Sequence, residues 1–258
     1  MIANNSPIDV TIVTGASAGL GLALARALVR QKGQHLLCIS RRRNDGLEAT
    51  VSEWARLDQW THDLSDAAPL CGRLATWLST FNPEAVLSVT LINNAALMAR
   101  AGPLADADTS DLAAALRVGL EAPLLLSSVF LKSTAAWPSQ RKVLFISSGL
   151  GRSAMAGQVS YCAAKAGLDH AARACALEEA SRPNGARIVS LAPGVVDTDM
   201  QTILRSSDPA RFPDAQKFAK FKADGALTSP DTAASRVLAW LEREDFGQAV
   251  VADVRDAK

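Results

Sequence analysis

The chain has 258 residues, a formal net charge of +1, 48% hydrophobic and 21% charged residues. That balance is ordinary for a globular protein and excludes the basic excess of a nucleic-acid-binding chain. The four cysteines, Cys38, Cys71, Cys162 and Cys175, form no Cys-x-x-Cys pair, and there are only three histidines, which argues against a metal site and for a reducing, cytoplasmic setting.

The first segment, Met1–Pro7, lacks the cationic start and apolar core of a secretory leader. The β-branched run Val10–Thr14 reads as a strand and ends in Gly15-Ala16-Ser17-Ala18-Gly19-Leu20-Gly21. A helical pattern follows over Leu22–Arg30, then a second short strand, His35–Ser40. Strand, glycine turn, helix and strand make a βαβ unit, which requires a parallel pairing with a right-handed crossover. Further strands are predicted at Trp60–Asp63, Val89–Asn93, Lys142–Ser147, Arg187–Ala192 and Gln248–Asp253, apolar on both faces as in a covered sheet. Helices are predicted at Asp66–Phe81, Asp106–Leu116, Glu121–Ala135, Ser160–Ala180 and Pro230–Arg243. The longest apolar stretch, Ala122–Leu131, falls short of the roughly 18 residues of a membrane span. Without repeats or linkers, residues 1–258 read as one α/β domain with a mostly parallel, seven-stranded sheet.

The glycine spacing Gly15-x-x-x-Gly19-x-Gly21 sits between a strand and a helix. A helix N-terminus offers unpaired N–H groups and partial positive charge, and glycines let the backbone approach a pyrophosphate. A tight turn without a ligand is the alternative. At the end of the second strand, an NAD site carries an acid about 20 residues past the motif. Here the chain reads Ile39-Ser40-Arg41-Arg42-Arg43, with no carboxylate. The guanidiniums either clamp a ribose 2′-phosphate, which predicts NADP(H), or form a solvated basic loop.

Tyr161 and Lys165 are four apart, so a helix puts both on one face, roughly 5–6 Å between Cβ atoms. A phenol ordinarily titrates near 10, and an adjacent ammonium favours the phenolate. Ser148, thirteen residues before Tyr161, supplies a hydroxyl for the same substrate oxygen. Alone, a Tyr-x-x-x-Lys pair is also a common surface contact.

Taken together, these segments resemble the short-chain dehydrogenase/reductase family, and finer features resemble its sepiapterin and benzil reductase branch. The glycine motif resembles Thr14–Gly21, with Ser17, Ala18 and Leu20 between the glycines. The family's adenine contact resembles Asp63-Leu64, and its Asn-Asn-Ala-Gly turn resembles Asn93-Asn94-Ala95-Ala96. The catalytic serine, tyrosine and lysine fall on Ser148, Tyr161 and Lys165. The Pro-Gly turn resembles Pro193-Gly194, followed by Val196 and by Thr198 at the nicotinamide carboxamide. Two departures stand out: Ala96 replaces a glycine, and Gly119 occupies the place of the family's water-holding asparagine.

The resemblance implies a Rossmann-type three-layer α/β/α sandwich and an NADPH-dependent reductase of a ketone, diketone or pterin. Tyr161 acts as general acid, Lys165 also holds the nicotinamide ribose, and Ser148 steadies the oxyanion. Met98 and Gly149 are candidate substrate walls, and residues 198–228 a lid of two short helices holding Phe212, Phe218 and Phe221. Met98 and the phenylalanines read more readily as plain packing than as substrate contacts. Asp253 either anchors a pterin, as in sepiapterin reductase, or caps a turn. The small-residue face of Ala163, Ala164, Gly167, Ala171 and Ala174 serves the core or a homo-oligomer interface. A nucleotide-binding scaffold without chemistry is the competing function.

Overall fold

Residues 7–256 are described in a computed structural model. Seven strands run Ile8–Thr14 (β1), Gln34–Ser40 (β2), Arg56–Thr61 (β3), Val86–Asn93 (β4), Gln140–Ile146 (β5), Arg187–Ala192 (β6) and Val251–Asp253 (β7). They form one sheet in the order β3-β2-β1-β4-β5-β6-β7, and every neighbouring pair is parallel. The helices are Gly19–Leu28 (α1), Asp45–Glu48 (α2), Ala68–Leu78 (α3), Thr109–Leu116 (α4), Ala122–Ser133 (α5), Val159–Ala180 (α6), Asp199–Arg205 (α7), Ala215–Ala223 (α8) and Pro230–Leu241 (α9).

Strand alternation sends apolar side chains to both faces. Val13, Leu36, Ile92, Leu144 and Val189 pack against Leu24 of α1 and Val237 of α9. Ile12, Leu37, Leu91, Val143 and Phe145 pack on the other face against Leu74 of α3, Phe130 of α5 and Leu168 of α6. The result is the three-layer sandwich that the βαβ alternation predicts.

Several boundaries differ from the expectation. β3 begins at Arg56 and stops at Thr61. As the edge strand it leaves half its residues partly exposed, so its polar sequence hides it. β7 is shorter than expected, beginning only at Val251. α1 begins inside the glycine motif, at Gly19. α4 and α5 are joined by a π turn, Arg117–Glu121, into one helical run over Thr109–Ser133. That 25-residue run is long and apolar enough to cross a bilayer by length and composition, but Val118, Ala122, Leu126 and Phe130 are buried against the sheet.

Because all strands are parallel, their carboxyl ends lie along one edge. The strand order reverses between β1 and β4, which opens a crevice at that edge. Gly15, Arg41, Asn94, Pro193 and Val254 each follow a strand end directly, and Ser148 lies two residues past β5.

Candidate active site

The glycine turn is held across the switch point. Thr14, buried at the end of β1, accepts the backbone N–H groups of Asn94 and Ala95 on Oγ1, both at 3.0 Å. The Asn94 amide donates back to the Thr14 carbonyl at 2.9 Å and the Gly15 carbonyl at 3.3 Å. Gly15 has φ +68° and Gly19 φ +54°, both in the left-handed region. A Cβ on Gly21 would stand 2.2 Å from the Gly15 carbonyl oxygen, so the first turn of α1 requires glycine there. Across the crevice, a Cβ on Gly19 would meet the Thr198 methyl at 3.1 Å, so Thr198 stands against the turn. Ala18, preceding α1, supplies no side-chain cap, and no acid occupies the first helical turn. The N–H groups at this end are therefore available to a phosphate, and the cradle fits a dinucleotide.

At the end of β2, Arg41 and Arg42 are exposed, while Arg43 pairs with Glu48 of α2. Ser40 donates to the Arg42 carbonyl at 2.8 Å and shapes the loop. Asn44 caps α2 and reaches the Ser17 carbonyl at 3.4 Å, tying this loop to the glycine turn. Asp63 accepts from the Ser65 N–H at 2.9 Å. The Ser65 N–H and hydroxyl, and then the Arg41 charge, hold its carboxyl below the usual range. Leu64 beside it is buried.

Ser148, Tyr161 and Lys165 come together at the carboxyl edge. Ser148 caps the short turn Gly149–Gly151 and accepts from the Leu150 N–H at 3.2 Å. Tyr161 and Lys165 share one face of α6, with the Lys165 Nζ 5.5 Å from the phenol ring centroid. Lys165 is 2% exposed and donates to the Ile146 carbonyl at 2.7 Å.

Burial pushes the Tyr161 phenol up to about 12, against the pull of a hydrogen bond with Ser148. The Lys165 ammonium lies over the ring and donates to the Ile146 carbonyl. Burial likewise draws Lys165 down to about 8, and the charge of Asp169 partly opposes this. In this state the phenol is protonated, the form a proton donor requires.

Other residues fall where the sequence leaves alternatives. Met98 packs against Phe212, Phe218 and Ala101, and Phe212 stacks on Phe218 at 5.8 Å. The phenylalanines are thus mainly the small core of the α7–α8 segment. Gly149 has open space where a Cβ would stand. Pro193 and Gly194, with φ +80° at the glycine, turn the chain after β6, and Val196 pairs with Thr228. Asp253 is 5% exposed, with both carboxylate oxygens held by Arg255 at 2.6 and 2.7 Å. Those bonds hold its carboxyl below the usual range. Gly119 lies in the π turn, where a Cβ would stand 3.1 Å from that of Ala164, so α6 packs too closely for a larger side chain.

Sequence reasoning did not single out Asn44, Arg152 or Asp169, polar residues with partners far away in the chain. For Asp169 the one local signal is its place four residues after Lys165.

A family model described as short chain dehydrogenase matches residues 9–209. A benzil reductase ((S)-benzoin forming) from Bacillus cereus is 34% identical, covering 93% of this chain and 96% of the relative. Sepiapterin reductase from Mus musculus is 30% identical over 96% of this chain and 97% of that protein. A solved short-chain dehydrogenase/reductase from Burkholderia vietnamiensis superposes with a TM-score of 0.65 at 36% identity, covering 98% of this chain and 100% of that one.

Proposed function

The chain belongs to the short-chain dehydrogenase family, and on that premise we propose that it is an NADPH-dependent carbonyl reductase acting on a ketone or dicarbonyl. The family is one of oxidoreductases that use nicotinamide cofactors. The observation that carries the reading is the meeting of Ser148, Tyr161 and Lys165 beside the glycine cradle, at one edge of the sheet.

The residues available to the dinucleotide are the backbone from Gly15 to Gly21, the Asn94-Ala95 turn, Asp63-Leu64, and Pro193 through Thr198 with Val196. Arg41 and Arg42, exposed and free of a neighbouring acid on their own strand end, favour a ribose 2′-phosphate. When bound, the nicotinamide supplies hydride to the carbonyl carbon. Tyr161, protonated, gives the carbonyl oxygen its proton. Lys165 holds positive charge against the phenolate left behind and reaches the nicotinamide ribose. Ser148 donates its hydroxyl to the developing oxyanion.

The relatives reduce benzil and sepiapterin by name, and the 34% identity to the benzil reductase against 30% to the sepiapterin reductase favours the diketone. The α7–α8 segment, with Met98 packed against it, serves as the lid, and Gly149 lines a further wall. On the small-residue face of α6, Ala163 and Ala174 are exposed and available to a homo-oligomer contact, while Ala164 is buried.

The test is to follow NADPH and NADH absorbance with benzil, aliphatic diketones and sepiapterin. The reading predicts consumption of NADPH in preference to NADH, fastest with a diketone. Tight NADPH binding with no carbonyl reduced would instead identify a nucleotide-binding scaffold.

A further inference from the structure

Asp169 is a buried acid with no place in the chemistry so far. It is 2% exposed and lies one helical turn beyond Lys165 on α6. Its Oδ1 accepts two hydroxyls, from Ser147 at 2.5 Å and Ser190 at 2.7 Å. Ser147 is the residue before Ser148, and Ser190 is on β6. One carboxylate therefore ties the helix bearing Tyr161 and Lys165 to the strand end bearing Ser148.

Its Oδ2 makes no hydrogen bond among the described residues and faces the Arg152 Nε at 3.4 Å. Arg152 lies just past the Ser148 turn and donates to the Ala252 carbonyl at 3.1 Å. The fit is close: a Cβ on Gly151 would stand 2.7 Å from Oδ2. A buried carboxylate is costly unless it is bonded or balanced by charge. Here one oxygen is fully bonded and the other is left to neighbouring cations.

We propose that Asp169 is a positioning residue for Ser148 and Lys165, pinning the Ser147 strand end and β6 to the turn of α6 that follows Lys165. The proposal rests on the reading of Ser148, Tyr161 and Lys165 as the reacting group. The charged groups around Asp169 are Lys165 and Arg173 on α6, and Arg152 from the adjoining turn, with Asp253 and Arg255 beyond Arg152.

Burial alone lowers Lys165, and the Asp169 charge opposes that, so removing the charge lowers Lys165 further. An ammonium is lost as pH rises through its pKa, so the loss then begins at lower pH. Asp169→Asn keeps an oxygen for Ser147 and Ser190 but removes the charge.

The test titrates the Lys165 Nζ by NMR in cofactor-free, lysine-labelled protein, with Lys165→Arg for assignment. It also records the pH profile of diketone reduction. Asp169→Asn is expected to lower both the Lys165 midpoint and the alkaline limb of kcat by roughly half to one pH unit. Should Asp169→Asn fail to fold, Ser147→Ala decides: losing the tether is expected to lower kcat for diketone reduction about tenfold with NADPH binding kept, and an unchanged kcat overturns the proposal. A Lys165 midpoint that stays put in the folded variant overturns the proposal, as does an unmoved limb in an active one. Failure of wild-type protein to reduce any carbonyl would sink the functional reading alone, because the NMR titration needs no turnover.

Discussion

At Lys165 two influences act in opposite directions. Burial favours the neutral amine, while Asp169 and the Ile146 carbonyl favour the ammonium. The sequence makes the Tyr161–Lys165 pairing legible, because i and i+4 share a helix face. It does not reveal the upward pull of burial on the phenol, since that cost depends on what covers the ring. The same holds for Asp253: its place near the chain end is visible, but its clamp by Arg255 is a matter of side-chain geometry. The arginines after β2 carry a residue-scale prediction. Replacing Arg41 and Arg42 together by alanine is expected to weaken NADPH binding by about 10- to 100-fold, while leaving NADH binding nearly unchanged. Calorimetric titration with each dinucleotide checks this, and equal losses for both would refute the 2′-phosphate assignment.

At the scale of elements, the glycine turn and α1 form one device. Its motif was readable because only glycine fits where backbone meets backbone. The structure adds the partner, Asn94, whose amide crosses from β4 to hold the Thr14 and Gly15 carbonyls. Gly21→Ala is expected to destabilise the fold by about 1–3 kcal/mol and to weaken dinucleotide binding at least tenfold, because its Cβ meets the Gly15 oxygen. Gly72→Ala in α3 is the control: nothing lies within 4 Å of its Cβ, and a mid-helix glycine replaced by alanine gains roughly 0.5–1 kcal/mol. Chemical denaturation of both variants gives the comparison. The joining of α4 to α5 was not legible, because the pattern reads as two helices with a break over Arg117–Leu120, which includes Gly119. The π turn absorbs the extra residue, and Pro123 stands in the first turn of α5, where its missing N–H costs little.

For the whole molecule, the alternation of strands and helices was the strongest signal in the chain. Seven parallel strands gather residues from 15 to 254 onto one edge, although they are scattered in sequence. What the sequence missed lies mostly at the surface: the first residues of β3 at the sheet edge, which are polar and partly exposed, and the one-turn α2. A buried ion pair below the site is a further feature of the tertiary fold alone. Arg141 and Glu179, 1% and 3% exposed at the side chain, meet at 3.3 Å and join β5 to the end of α6. Glu179→Ala is expected to cost about 3–5 kcal/mol by leaving Arg141 buried without its partner, measured as a fall in the unfolding midpoint.

The central claim is that the Tyr161 phenol delivers a proton to a carbonyl oxygen beside the cradle. Its most direct measurement is single-turnover reduction of benzil by the NADPH-loaded Tyr161→Phe variant, compared with wild type. The account predicts a rate lower by about 10²- to 10⁴-fold with NADPH affinity close to unchanged. A rate near that of wild type would contradict it.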